Sequence, residues 1–319
     1  MPPSLYQQTV IAFIWDFDRT LTPAYMQTPL FEEFGVDERA FWTEVEGLVA
    51  HYRSRGLQVN RDTAYLGHIL SYVQAGPFAG LTNAKLRELG ARIPLAPGIL
   101  DFMDRTRRFV YDNARYAHHG IAVEHYIVST GLRQMIEGNP VRARVDGVWA
   151  CELLADPPGA GYLVGADGTD DALTGVLSQV GYVLDNTTKT RAVFEINKGV
   201  NKEPSIDVNA QMGSDERRVP IRNMIYVADG PSDVPVFSVV NSAGGKTLGV
   251  YTLSERNNYP QVKMLQDQGR VNSIAEADYR ESKPADLWLM DSLRLVADEI
   301  CERRDRTFAA LENPPGHVA

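Results

Sequence analysis

Three things are scarce in this sequence of 319 residues: cysteine, basic charge in excess of acidic charge, and long apolar runs. The two cysteines, Cys151 and Cys301, lie far apart without CxxC or clustered-histidine spacing, which argues against a disulfide framework or a zinc site. Lys and Arg number 32 against 41 Asp and Glu, a net charge of -9, so nucleic acid is not an expected partner. No run approaches the ~18 apolar residues of a membrane span. A reduced, soluble, cytoplasmic protein without a membrane partner is therefore expected.

What the sequence does contain is an alternation of strand and helix patterns. The segments "TVIAFIW", "EHYIVST", "NMIYVAD" and "TLGVY" are apolar on both faces and rich in β-branched or aromatic residues, which is typical of buried parallel strands. Shorter strand-like pieces lie in "RVDGVWACELL" and "VGYVL", and the Gly/Asp/Pro-rich stretch 156–171 predicts a loop or hairpin tip. The alternation predicts an α/β fold with a parallel sheet and right-handed crossovers.

A helical block interrupts this alternation directly after the first strand. From residue 30 to about residue 92 the apolar residues recur at helical spacing, as in "FEEFGVDERAFWTEVEGLVAHYRSRG". In "LTNAKLRELG", Thr82 is a candidate N-cap and Gly90 a candidate stop. The Pro/Gly segment "IPLAPGI" closes the block, which is therefore interpreted as an insertion in the α/β fold.

Polar groups follow three of the predicted strands at their carboxyl ends. Asp16 and Asp18 follow "FIW", Ser129 follows "YIV", and Asp229 and Asp233 lie in "YVADGPSDVP". In an open parallel sheet, ligands bind outside the carboxyl ends of the strands, so the three clusters are expected to meet at one site. Four carboxylates in one cleft repel each other unless a cation joins them, and hard oxygen ligands suit Mg²⁺.

These residue types suit phosphoryl transfer. An Asp carboxylate can attack phosphorus to form an aspartyl-phosphate, which water then hydrolyses, while a second carboxylate exchanges protons with the leaving oxygen and the water. Asp16 and Asp18 have the spacing for this division of labour. A hydroxyl at Ser129, a lysine and Mg²⁺ would neutralise the phosphoryl charge. The segment "STGLRQMI" predicts a strand-to-helix junction with backbone N–H groups that favour an anion.

In order, "DFDRTLT", "STG", the lysine of "TTKTRAVF" and "DGPSDVP" resemble the four motifs of the haloacid dehalogenase-like hydrolase superfamily, in its branch of aspartate-nucleophile phosphatases. The match spans most of the chain, and its specificity lies in the ordered set. The resemblance implies that Asp16 is the nucleophile and a Mg²⁺ ligand. It implies that Asp18 is the acid/base, with its backbone carbonyl on the metal, and that Thr20 supports the loop. Asp18 is the feature associated with phosphatases and phosphotransferases.

The same resemblance assigns the remaining site residues. Ser129 would bind a phosphoryl oxygen, Asp229 would ligate Mg²⁺, and Asp233 would lie beside or behind it. The lysine that holds the nucleophile and the phosphoryl group is either Lys189, which opens the predicted helix "TRAVFEIN", or Lys198 near its end; Lys189 is favoured because the family lysine usually opens this helix.

The fold that the resemblance implies is a Rossmann-like core with helices on both faces (residues 1–22 and 95–319) and an inserted helical cap (residues 23–94). The implied activity is Mg²⁺-dependent hydrolysis of a small phosphorylated metabolite; a phosphotransferase and a non-catalytic phospholigand-binding protein are the alternatives. Candidate cap residues for contact with the leaving group are Tyr25, Trp42, His51, Arg53, Arg55 and Arg61.

Arg19 departs from the family pattern, which often has a small residue between the second Asp and the Thr of the first motif. It adds a cation near the entrance of the site, or it is simply a solvated side chain. The residues alone leave both interpretations open.

Overall fold

The computed structural model describes residues 8–155, 173–253 and 258–312. In these ranges the strands are β1 (Val10–Trp15), β2 (Ala122–Leu132), β3 (Gly147–Leu154), β4 (Gln179–Tyr182), β5 (Met224–Ala228), β6 (Lys246–Tyr251) and β7 (Ser273–Glu276). The α-helices are α1 (Thr28–Phe34), α2 (Glu38–Arg53), α3 (Ala64–Ala75), α4 (Asn83–Gly90), α5 (Ile99–Tyr111), α6 (Ala114–His118), α7 (Arg133–Gly138), α8 (Lys189–Lys198), α9 (Val234–Ser242), α10 (Asn258–Asp267) and α11 (Pro284–Glu312). Short 3₁₀ helices lie at Pro140–Arg144, Ser214–Glu216, Ile221–Asn223 and Pro231–Asp233.

The strands form one sheet in the order β4-β3-β2-β1-β5-β6-β7. Every neighbouring pair is parallel except β3 and β4, which are antiparallel. The residues of β1 from Ile11 to Trp15 are all buried. Because successive side chains of a strand point to opposite faces, both faces of the sheet are covered at its centre. The predicted α/β, Rossmann-like fold is confirmed.

The structure differs from the predicted strands in two places. β2 does not end at Ser129 but runs on to Leu132, with an irregular register against β3 after Val128. Helix α7 begins at Arg133, so the strand-to-helix junction predicted in "STGLRQMI" is confirmed, and it lies between Leu132 and Arg133. The edge strand β7 was not predicted, because a run of four residues carries too little apolar pattern. The loop predicted at 156–171 lies outside the described residues.

Four helices, α1 to α4, occupy the predicted helical block. Asp37 accepts a hydrogen bond from Ala40 N and so caps α2, and Thr82 caps α4 as predicted, by accepting one from Lys85 N at 3.1 Å. The last of these helices packs closely on α7 of the predicted core. A Cβ built on Gly90 would lie 2.0 Å from the backbone oxygen of Met135. The division into core and cap stays a prediction.

Among the described residues, no helix has both the length and the apolar character that crossing a membrane would require.

Candidate active site

The loop after β1 is tightly wound and holds Asp16 and Asp18 in place. The Asp16 backbone N donates to Val227 O of β5 at 2.9 Å, which extends the sheet pairing by one residue. The carbonyl of Phe17 accepts bonds from the backbone N–H groups of Thr20, Leu21 and Thr22 at 3.2, 2.8 and 3.2 Å. This turn buries the Asp16 side chain, which is 5% exposed.

Two further contacts hold the loop in its conformation. Oδ1 of Asp18 accepts a hydrogen bond from Met26 N at 2.8 Å. The hydroxyl of the buried Tyr279 donates a hydrogen bond to Thr20 O at 2.9 Å. Tyr279 follows β7, so the far edge of the sheet also contributes to the position of this loop.

Lys189 lies at the centre of the acidic cluster. It is the first residue of α8, it is 1% exposed, and its Nζ donates to Asp16 Oδ1 and to Asp233 Oδ1, each at 2.7 Å. Burial lowers the pKa of the Lys189 ammonium, but the charges of Asp16 and Asp233 outweigh that effect and raise it. Lys198 lies elsewhere, and its Nζ donates to the backbone oxygens of Val208 and Ala210 at 2.6 and 2.5 Å. The geometry therefore pairs Lys189, and not Lys198, with Asp16.

Asp229 and Asp233 reach the same cluster from β5. Asp229 directly follows the strand, and Asp233 ends the 3₁₀ helix behind it. Asp233 is fully buried and accepts bonds from Tyr226 at 2.5 Å and from the Ser232 hydroxyl at 2.8 Å, besides the bond from Lys189. One carboxylate oxygen each of Asp16, Asp229 and Asp233 lie within 4.8 Å of one another.

The electrostatics of the cluster call for a cation. Burial raises the pKa of Asp16 to about 6, although Lys189 opposes the shift. Burial, and next the charge of Asp16, raise the pKa of Asp18 to about 8 and the pKa of Asp229 well above its ordinary value. The pKa values of carboxylates rise in this way when the groups lie close together in a poorly hydrated site with too little positive charge. An oxygen-rich donor set of this kind fits a hard divalent cation such as Mg²⁺.

Ser129 lies near the carboxyl end of β2, four residues before α7 begins. It is 1% exposed, and its Oγ accepts a hydrogen bond from Gly131 N at 3.0 Å. The adjacent Thr130 lines the cavity over the carboxylates, and its backbone oxygen accepts the Tyr65 hydroxyl of α3 at 2.7 Å.

A cavity of about 310 Å³ opens over the carboxylates. Its lining residues are Asp16, Asp18, Arg19, Tyr25, Asp62, Thr130, Asn186, Lys189, Asp229, Gly230, Pro231, Ser232 and Gln261. Sequence reasoning missed Asp62, Asn186 and Gln261. Asn186 could have been found, since it stands three residues before Lys189; Asp62 and Gln261 carry no motif, and only the fold brings them to the site.

The parallel sheet carries an ordered set of site residues at the ends of its strands, and the motifs that hold these residues resemble those of the haloacid dehalogenase-like hydrolases. More particularly, the chain belongs to one family with an uncharacterized protein of Borreliella burgdorferi, to which it is 36% identical over 296 residues, covering 91% of this chain and 98% of the relative.

Other comparisons are less specific. No protein-family profile matches the chain. Among solved structures, it is similar to a HAD family hydrolase of Salmonella enterica serovar Typhi (13% identity, TM-score 0.48), covering 82% of this chain and 66% of that one. It is also similar to a phosphoserine phosphatase with an analogue of its phospho-aspartyl intermediate (16% identity, TM-score 0.46), covering 83% of this chain and 93% of that one. At these low identities and TM-scores, neither likeness bears on what this chain binds.

Proposed function

We propose that this protein is a Mg²⁺-dependent phosphomonoester hydrolase that acts on a small phosphorylated metabolite through an aspartyl-phosphate intermediate. The observation that carries the proposal is the position of Lys189, whose Nζ lies 2.7 Å from Asp16 and 2.7 Å from Asp233 in a buried cluster. This contact fixes one oxygen of Asp16 and gives its carboxylate a defined orientation. A held carboxylate beside a buried cation is suited to attack an anionic phosphoryl group.

In the first half of the reaction, a carboxylate oxygen of Asp16 attacks phosphorus. The new bond joins that oxygen to phosphorus, and the bond from phosphorus to the ester oxygen breaks. Asp18 gives its proton to the departing oxygen, so the product is a neutral alcohol. The pKa of about 8 that burial confers on Asp18 supports this role, because the group then carries a proton at neutral pH.

In the second half, water attacks the phosphorus of the aspartyl-phosphate. Asp18, now ionised, takes a proton from that water, and the bond between phosphorus and the Asp16 oxygen breaks. Inorganic phosphate leaves, and both carboxyl groups return to their starting states. Lys189 stays paired with Asp16 throughout and balances its charge.

The residues present fit a divalent cation, which we propose is held by Asp16, Asp229 and the backbone carbonyl of Asp18. When bound, Mg²⁺ supplies positive charge to the phosphoryl oxygens. We place Asp233 behind the ion as a support, because Lys189, Tyr226 and Ser232 already donate to it.

Ser129 is proposed to bind a phosphoryl oxygen. Its Oγ accepts a bond from Gly131 N at 3.0 Å, which orients the hydroxyl and leaves its proton for donation. The helical segment 23–94 is proposed to act as a cap on the core formed by 1–22 and 95–319. The bond from Tyr65 to Thr130 O and a bond of 2.9 Å from Asn60 to Asp185 support this division, since they join the segment to the rim of the cavity.

The proposal is tested by measuring phosphate release from a broad panel of phosphomonoesters with Mg²⁺, with EDTA, and with the Asp16→Asn variant. We expect release that requires the metal and that falls by about 10³-fold or more in Asp16→Asn, since that variant lacks the nucleophile. Asp37→Asn, which changes an acidic helix cap away from the cavity, is the matched control and should retain activity.

The outcomes separate the alternatives. Retained turnover in Asp16→Asn would overturn the assignment of the nucleophile. Absence of phosphate release from every ester would favour a non-catalytic phospholigand-binding protein. Transfer of phosphate to an added alcohol, in place of release, would identify a phosphotransferase.

A further inference from the structure

Arg19 has an unusual backbone conformation for its residue type. Its φ is 57°, in the left-handed region, where a side chain with a Cβ is strained by roughly 1–2 kcal/mol. Among the described residues, the other non-glycine positions with positive φ are Gln8 and Ser282, and neither lines the catalytic cavity. A strained residue of this kind persists at functional sites, so the conformation calls for a role for the Arg19 side chain.

The Arg19 side chain extends over an aromatic ring at the wall of the cavity. Its guanidinium carbon lies 4.3 Å from the centroid of the Tyr25 ring, which is a favourable cation–π distance. Tyr25 is 41% exposed, so the ring supports the guanidinium and is itself reached by solvent. Such a stack holds the planar, five-donor fork of an arginine in a fixed orientation.

The position of Arg19 assigns it to the leaving-group side of the site. It directly follows Asp18, which we propose to protonate the departing oxygen. Tyr25 also lines a second cavity, of about 580 Å³, together with Arg39, Trp42, Thr43 and Glu46. Tyr25 therefore lines both cavities, and the guanidinium stacked on it lines the first.

Arg19 places a positive charge on the wall of the catalytic cavity, which Asp18 and Asp229 also line. Its positive charge therefore adds to that of Lys189 on the same cavity. Lys189 contacts the proposed nucleophile Asp16, whereas Arg19 directly follows Asp18, the proposed proton donor to the leaving group.

We propose that Arg19, oriented by Tyr25, is a specificity-determining residue that binds a second anionic group on the leaving alcohol. The substrate class is then a phosphomonoester whose alcohol carries a carboxylate or a further phosphate a few atoms from the ester oxygen. Arginine binds both groups in bidentate geometry. This inference rests on the proposed function and goes beyond it by stating the chemistry of the leaving group.

The test uses a matched series of esters of two-carbon alcohols: ethyl phosphate, carboxymethyl phosphate and ethane-1,2-diol bisphosphate. For wild type we expect kcat/KM for at least one of the two anionic esters to exceed that for ethyl phosphate by about tenfold or more, since a charge-assisted contact has that magnitude. The preferred anionic ester distinguishes a carboxylate from a phosphate. In Arg19→Gln and Arg19→Gly this preference should be lost, while Arg108→Gln, which changes an exposed arginine of α5 that does not line the cavity, should keep it.

A second measurement does not depend on turnover. In the Asp16→Asn background, the preferred anionic ester should raise the unfolding temperature more than ethyl phosphate does, and addition of Arg19→Gln should remove the difference. If no ester is hydrolysed but this difference appears, the proposed hydrolase activity fails and the role of Arg19 stands.

Two results would overturn the role of Arg19. One is equal use of ethyl phosphate and the anionic esters by wild type. The other is a preference that survives in Arg19→Gln, together with a lower unfolding temperature, because the arginine would then only stabilise the loop.

Discussion

The Tyr226 hydroxyl donates a hydrogen bond of 2.5 Å to Asp233 Oδ1, the same oxygen that accepts Lys189 Nζ at 2.7 Å. Both the tyrosine and the aspartate are fully buried. The tyrosine therefore shares the charge of Asp233 with Lys189, and Lys189 in turn contacts Asp16. A side chain on β5 that has no place in the motifs thus helps to position the proposed nucleophile.

We expect Tyr226→Phe to lower kcat by about tenfold with little change in KM, because Asp233 would draw Lys189 away from Asp16 without preventing substrate binding. The free energy of unfolding should fall by about 1–3 kcal/mol, since a buried carboxylate loses a donor. Steady-state kinetics and urea denaturation measure the two effects.

Tyr116→Phe is the matched control for this change. Its hydroxyl donates to Asp298 at 2.9 Å, away from the cavity, so the same type of bond is lost. That variant should lose stability and keep kcat. An unchanged kcat in Tyr226→Phe would show that the tyrosine has a structural role alone.

Lys189→Met should abolish activity and also destabilise the fold. The change leaves Asp16 and Asp233 buried without their cationic partner, beside the half-buried Asp229, and removing one partner of a buried ion pair costs about 3–5 kcal/mol. Added Mg²⁺ should restore part of the stability but not the activity. Thermal unfolding with and without Mg²⁺, beside phosphate release, measures both.

Lys198→Met tests the other lysine that the sequence left open. This side chain binds the backbone oxygens of Val208 and Ala210 and does not line the cavity. Its replacement should leave turnover close to the wild-type value. A complete loss of turnover there, with Lys189→Met still active, would contradict the pairing that the structure shows.

Much of the sheet and of the acidic cluster could be predicted from the sequence, for one physical reason. A buried parallel strand is apolar along its whole length, so a polar residue at its end is conspicuous, and all carboxyl ends of parallel strands lie at one edge. This reasoning predicted Asp16 and Asp229 at the same edge. It misjudged the end of β2, because Ser129 is polar but lies within the strand.

Other parts of the site had no signal of this kind. Asp62 and Gln261 come from segments whose placement depends on tertiary packing, which apolar spacing does not specify. The position of Arg19 also depends on packing, since the choice between a solvated cation and a cavity residue required the Tyr25 ring beneath it. Lys189 was favoured by its place at the start of a helix, but only coordinates give its distances to Asp16 and Asp233.

The pH dependence of stability should carry a contribution from His125, which is fully buried. Trp15 Nε1 is a donor and lies 3.1 Å from His125 Nδ1, so Nδ1 is the acceptor. Nε2 then carries the proton and faces Thr106 Oγ1 at 2.9 Å, while the Thr106 hydroxyl donates to Met103 O. The ring is therefore neutral in the folded state.

Burial, and next the charge of Arg107, hold the pKa of His125 well below its ordinary value of 6.5. The unfolded chain takes up a proton near pH 6.5, and the folded chain does not. The contribution of His125 to the free energy of unfolding is therefore fully present above pH 6.5. Below that pH it decreases by up to about 1.4 kcal/mol per pH unit. Urea denaturation at pH 7.5 and at lower pH should give a smaller loss for His125→Gln than for wild type.

His118→Gln is the control for loss of a histidine, because that side chain is exposed. It should follow the wild-type pH dependence. Identical pH dependence of wild type and His125→Gln would contradict the assignment of a neutral, buried ring.

The crossing of α4 and α7 depends on two glycines. A Cβ on Gly90 would lie 2.0 Å from Met135 O, and one on Gly138 would lie 1.9 Å from Arg87 O. Both neighbours are backbone atoms, which cannot move aside without shifting a helix. Gly90 was predicted as a helix stop, and α4 does end there, but the close approach is a second reason for glycine that the sequence did not reveal.

Gly90→Ala is therefore expected to lower the free energy of unfolding by about 1–3 kcal/mol or more, by overpacking the crossing. Gly47→Ala provides the opposite control. Gly47 lies within α2 with nothing within 4 Å of its added Cβ, and alanine has the higher helix propensity, so stability should rise by about 0.5–1 kcal/mol. Chemical denaturation of both variants measures these changes in the free energy of unfolding. A Gly90→Ala protein as stable as wild type would contradict the prediction. It would mean that the two helices separate at little cost and that other contacts hold α4 to the core.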